Sequence, residues 1–143
     1  MKSCSISTIF WFLLAIFVFI TLQMTLPAIR DLFRGSVFLL PVAVFFLLGL
    51  ALMLATLKQQ ARGKLKKFLL LTGASAVGFF AGVILHNAFY ALAVVAKEIT
   101  VLKYIFEGLH VFFFLIAIPV CPIAFLVGMM GSIILLVKKG RQG

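Results

Sequence analysis

Four long apolar runs, at residues 6–26, 37–57, 68–96 and 111–137, alternate along the chain with short polar breaks. Each run is at least as long as the roughly 20 residues a helix needs to cross a hydrocarbon core of about 30 Å. In lipid every backbone polar group must be paired internally, so runs of this length predict helices. The pattern therefore predicts an all-α polytopic membrane protein: a four-transmembrane-helix bundle forming a single integral membrane domain over residues 1–143, with no linker of any size between the runs. Residues 37–57 alone contain fourteen Leu, Val or Phe. On the insertion scale these favour the membrane by at most about 4–8 kcal/mol. Lys2 and the apolar stretch after it resemble the start of a signal peptide. The stretch is longer than an h-region of about 7–15 residues and no small-x-small site follows, so it is expected to stay as a span.

Composition points the same way. The chain is 65% hydrophobic and 11% charged, against about 25% charged in an average soluble domain. No soluble domain is left to carry chemistry. The charges that remain are divided unequally among the breaks. Lys58, Arg62, Lys64, Lys66 and Lys67 lie between the second and third runs, Lys138, Lys139 and Arg141 follow the fourth, and Lys2 precedes the first, giving nine cations with no carboxylate side chain. The other breaks hold Arg30, Arg34, Lys97 and Lys103 against Asp31, Glu98 and Glu107. The positive-inside rule then puts both termini and segment 58–67 in the cytoplasm, with the bundle in the cytoplasmic membrane.

These cations have a plain reading as a topology signal solvated at the headgroups. A sharper one makes Lys58, Arg62, Lys64, Lys66, Lys67, Lys138, Lys139 and Arg141 a surface for anionic lipids, at about 1 kcal/mol each near the bilayer. Nucleic acid does not account for the net charge of +10, because the cations are split among short juxtamembrane pieces with no folded surface to align them. Cys4 near an interface and Cys121 in mid-span differ in depth by more than the ~7 Å a disulfide tolerates. Cys4 reads as a small unmodified residue or, where the host has the machinery, an acylation site.

The third run carries the most specific pattern. Ala74, Gly78, Gly82, His86 and Tyr90 recur every four residues and trace a stripe that drifts about 40° per step around a helix. Gly78 and Gly82 form a GxxxG pair. Small residues at this spacing let helices come close enough for extensive van der Waals contact, the chief attraction available between helices in lipid. The stripe is expected to be a packing seam, within the bundle or between copies. Gly128, Gly131 and Ser132 offer a second one.

Beyond the glycines lie His86 and Asn87, polar groups inside a span that should face protein and find partners. They read as interhelical glue or as a ligand site. Glu107 and His110, three residues apart, share a face near the start of the fourth run. A surface pairing of Glu107 with His110 or Lys103 is one reading, and a mononuclear metal site completed by another subunit is the other. With three acids and two histidines in all, one copy cannot supply a carboxylate-bridged di-metal site. Axial ligation of haem by His86 and His110 needs matching depth on facing helices. A hairpin turning over residues 97–104 offsets them by roughly 6–8 Å at 1.5 Å per residue.

Pro119 and Pro122 interrupt the fourth run near its middle. Each removes a backbone donor, which predicts a kink and freed carbonyls near residues 115–118. Such an interruption bends a helix around its neighbours or lines a transport path. No run carries Asp, Glu, Lys or Arg in its centre, and no catalytic triad, HExxH pair, phosphate loop or zinc cluster can be assembled. The expectation is a non-enzymatic accessory or structural subunit that acts by helix packing, binds no cofactor, and meets membrane lipids, a further copy of itself or another membrane protein. The alternative is a redox or cofactor-binding subunit holding haem or a metal ion through His86, Tyr90 and His110, with Glu107 as a metal ligand. A third class is a small channel or transporter along the interrupted fourth helix.

Overall fold

The computed structural model describes residues 2–32, 40–58 and 63–140, all of whose regular elements are helices. Arg34, Arg62 and Arg141 lie outside the described residues, as do the side chains of Lys2, Cys4, Arg30 and Lys139.

Helix α1, Lys2–Thr25, closes its last turn with the Leu26 N–H donating to the Leu22 carbonyl at 2.8 Å. Pro27 then opens the short helix α2, Pro27–Leu32, at the position where a missing N–H costs nothing. Pro41 sits in the same way in the first turn of α3, Leu40–Lys58. Helix α4, Gly63–Val95, is 33 residues long, about 50 Å at 1.5 Å per residue. It begins five residues before the third apolar run, taking in Lys64, Lys66 and Lys67. Lysine ends a hydropathy run without opposing a helix.

The connection after α4 is much shorter than the sequence suggests. A single 3₁₀ turn, Ala96–Glu98, and one extended residue, Ile99, reverse the chain. The Ile99 N–H donates to the Ala96 carbonyl at 2.9 Å, and helix α5, Thr100–Leu115, starts at once. The expected loop over 97–104 is corrected: helix α5 already covers residues 100–104. Residues 100–110 alternate charge with apolar residues at helical spacing, and Lys103 and Glu107 pair across one turn at 3.8 Å. Helix propensity and that i,i+4 pair carry the helix through a stretch that hydropathy alone counts as polar. A π-helical segment, Ile116–Val120, follows, and then α6, Cys121–Gly140.

Four helical stretches are long and apolar enough to cross a membrane: Ile6–Thr25, Leu40–Lys58, Gly63–Glu98 and Thr100–Lys138. An all-helical fold with four such stretches makes this a multi-pass membrane protein. Helix α4 is the hub, packed against α3, α5 and α6, while α1 lies on α3. Glycines set the closest crossings. A methyl group built on Gly73 would stand 2.8 Å from the Gly49 carbonyl oxygen, and one on Gly128 would stand 2.8 Å from the Thr72 backbone nitrogen. Around these crossings Leu13, Leu52, Leu69, Thr56, Thr72 and Ser132 are shut away almost completely. Phe17, Phe45 and Phe125 cluster with ring centroids 4.7–6.2 Å apart. Buried hydroxyls return to their own helices: Thr56 donates to the Leu52 carbonyl at 2.7 Å, Thr72 to Phe68 at 2.8 Å and Ser75 to Leu71 at 2.6 Å. The outer faces are apolar, with Phe12, Leu47, Ile84, Val101, Ile123 and Ile134 all exposed. This surface is suited to lipid tails.

Candidate functional site

His86 lies on α4 twelve residues before Glu98, and His110 lies on α5 twelve residues after it. With the turn centred at Glu98 rather than near residue 100, equal rise brings both histidines to the same depth. The expected offset of 6–8 Å disappears. Their ring centroids stand 4.5 Å apart with planes inclined at 30°.

The nitrogen atoms of the pair are used unequally. His86 Nδ1 is 3.0 Å from the His110 carbonyl oxygen. A carbonyl only accepts, so this nitrogen carries the proton, and in the neutral ring Nε2 is left with a lone pair. His110 Nδ1 is buried and has no partner among the described residues. Tyr90, one turn beyond His86, places its ring 5.5 Å from His110, and Phe114, one turn beyond His110, places its ring 5.4 Å from His86. On the neighbouring face Phe89 stacks on Phe113 at 5.5 Å and 4°, and on Phe106 at 6.2 Å. The α4–α5 hairpin is thus held by aromatic stacking and one cross-helix hydrogen bond. Asn87 Nδ2 donates to the Val83 carbonyl at 2.8 Å, which leaves its Oδ1 as an acceptor.

Two cavities flank the histidines. Toward the turn, Tyr90, Lys97, Lys103, Glu107 and His110 contribute to the wall of one of about 540 Å³. Its charges are already engaged, Lys103 with Glu107 at 3.8 Å and Lys97 with Glu98 at 3.9 Å. On the other side, a cavity of about 220 Å³ is lined by Val83, His86, Asn87, Phe114, Ala117 and Ile118.

The arrangement limits what the histidines can hold. Two axial imidazoles lie on opposite sides of an iron, each pointing a nitrogen at it. Rings stacked 4.5 Å apart leave no place for an iron between them, so the pair does not fit bis-histidine haem. No three of the His, Cys, Asp and Glu side chains among the described residues come together as a metal site. A metal on Glu107 and His110 would need its other ligands from outside the described residues.

The remaining candidate residues are dispersed. Ala74 is exposed. A methyl group on Gly78 would lie 3.1 Å from Cys121 Sγ, and one on Gly82 would lie 3.0 Å from Ala117 Cβ. Gly128 presses on Thr72, Gly131 faces the Phe68 ring, and Ser132 is fully buried with Oγ unpartnered among the described residues. Gly131 beside Phe68 and Gly128 beside Thr72 make α6 antiparallel to α4, while Gly49 beside Ala76 and Met53 beside Gly73 make α3 antiparallel to it as well. Lys58, Lys64, Lys66, Lys67 and Lys138 consequently gather at one end of the bundle, all exposed except the half-buried Lys66. Phe114 and Ala117 escaped the sequence reading because an ordinary apolar residue in an apolar run carries no signal. The prolines at 119 and 122 were the available hint. No family model, no curated protein and no solved structure matches this chain.

Proposed function

We propose that this chain is a four-span subunit of the cytoplasmic membrane, with both termini and segment 58–67 on the cytoplasmic side, that acts without catalysis through helix packing. The observation that carries this reading is how the polar and small residues are used. Glycines at 49, 73, 78, 82 and 128 each sit against a neighbouring helix, while buried Thr56, Thr72 and Ser75 bond their own backbone. Such an interior is built for close contact. On this reading the Gly78–Gly82 pair is a seam between the third and fourth spans, the Pro119–Pro122 interruption bends the fourth span around it, and the cationic end rests on anionic headgroups. The broad apolar faces of α5 and α6 remain for a membrane partner or a further copy.

Native mass spectrometry of the protein gently extracted from its own membrane tests this directly. A stable partner chain or homo-oligomer without cofactor mass is expected; a lone monomer overturns the assembly role. A second reading, a bound cofactor or metal at His86, Tyr90, Glu107 and His110, is favoured by the unpartnered His110 Nδ1. It predicts that His86→Ala and His110→Ala each remove an absorbance band or metal content. Unchanged spectra and metal content would exclude it.

A further inference from the structure

Three of the residues lining the 220 Å³ cavity carry a hydrogen-bond acceptor left over by the bonds of the described residues. The first belongs to the backbone. In an α-helix the Ala117 carbonyl would receive the Cys121 N–H, but that N–H donates to Ile116, in π register. In π register the donor would be residue 122, which is proline and has no N–H. Ala117 thereby loses both helical donors. The second acceptor is His86 Nε2, whose lone pair follows from the Nδ1–H···O bond to His110. The third is Asn87 Oδ1; the amide nitrogen gives one N–H to Val83 and keeps a second. A carbonyl, an imidazole lone pair and an amide oxygen therefore belong to three of the six lining residues, and none of the six carries a formal charge when His86 is neutral.

An uncharged site inside a span, with three acceptors against one remaining donor, selects its occupant. A ligand with only carbonyl groups finds one N–H, that of Asn87, and leaves the acceptors unpaired. A cation finds no counter-charge, which is costly within hydrocarbon. A hydroxyl group pairs. The cavity exceeds the roughly 150 Å³ that suffices for a benzene ring, and the Phe114 side chain, 5.4 Å from the His86 ring, supplies an aromatic wall. Its rim reaches the outer surface at Asn87, Phe114 and Ile118, with exposed Ile84 and Leu115 nearby. Twelve residues from the turn, or about 18 Å along the helix, this opening faces lipid tails.

We propose that this cavity binds a membrane-dissolved phenolic ligand of the hydroquinone class, which donates one hydroxyl to His86 Nε2 and the other to the Ala117 carbonyl, with the Asn87 amide beside them, in preference to the oxidised quinone. The site recognises the reduced form because the quinone has lost both hydroxyl donors. Its apolar tail extends from the rim into the bilayer. Binding here is independent of the packing role and involves no electron transfer.

The test uses the full chain in phosphatidylcholine vesicles under anaerobic conditions. Equilibrium binding is measured for a short alkyl-1,4-hydroquinone, the matching quinone and the hydroquinone dimethyl ether, each against protein-free vesicles. The hydroquinone is expected to bind saturably and about tenfold or more tightly than the other two, because a buried polar site left unpaired discriminates strongly. His86→Phe keeps a ring and removes the acceptor, so the preference should collapse. Pro122→Ala returns an N–H to the Ala117 carbonyl and should weaken hydroquinone binding about threefold or more, with helix content by circular dichroism confirming the fold. Equal binding of the three compounds overturns the proposal, as does the absence of saturable binding, which would mean that water satisfies these acceptors. A hydroquinone preference that survives both substitutions also overturns it.

Discussion

The two halves of the bundle hold together by different means. Where α3, α4 and α6 cross at Gly49, Gly73 and Gly128, backbones touch, and Leu52, Leu69, Thr56 and Thr72 are at most 1% exposed. In the α4–α5 hairpin no residue of α5 is buried, and the helices meet through rings 4.5–6.2 Å apart and one histidine–carbonyl bond. In lipid, burying apolar surface against another helix brings little hydrophobic gain, so tightness depends on how closely backbones can approach. Glycine permits that approach. Large rings hold helices apart, and the space they leave becomes cavities beside polar groups. One half therefore serves stability, while the other has room for a ligand.

Filling the glycine crossing is expected to do the most damage. Gly128→Val places branched carbons against the Thr72 and Phe68 backbone, which cannot withdraw. It is expected to destabilise the fold by about 3 kcal/mol in a denaturing-detergent titration. If Gly128→Val unfolds no earlier than the wild type, tightness does not reside in that half. His86→Ala removes one cross-helix hydrogen bond and a ring contact, and the same titration should show a loss of about 1 kcal/mol. A loss as large as that of Gly128→Val would show the hairpin to be equally close-packed. Gly108→Ala, where an added methyl group meets nothing within 4 Å, should stabilise by about 0.5–1 kcal/mol through helix propensity. Loss of stability there would reveal a contact that forms only in an assembly. The smallest effect is expected from Lys103→Met. Its pairing with Glu107 spans 3.8 Å between side chains nearly half exposed, so removal should shift the transition by less than about 0.5 kcal/mol, and still less at high salt.

Much of this was legible in the chain. Four runs of apolar residues mapped onto four membrane-length helices because hydropathy over about 20 residues reports a bulk property that no tertiary contact needs to refine. The third run carries small residues at four-residue spacing, and Gly78 and Gly82 stand against Cys121 and Ala117. Helix ends were less legible. Charged residues ended the runs at 68 and 111, whereas the helices begin at Gly63 and Thr100, because lysine and glutamate are good helix formers. The depth of the two histidines depended on that boundary, and a shift of two to three residues in the turn centre accounts for the whole expected mismatch.

By itself the sequence determined that this is a helical protein of the membrane, since composition and run length leave the backbone no other way to pair its polar groups in lipid. The tertiary structure decided which polar groups meet. The four-residue reversal at Ala96–Ile99 brings His86 against His110, and the passage from π to α register beside Pro122 strips the Ala117 carbonyl of its donors. Both follow from hydrogen-bond register, a property of the folded backbone to which residue type contributes only a constraint.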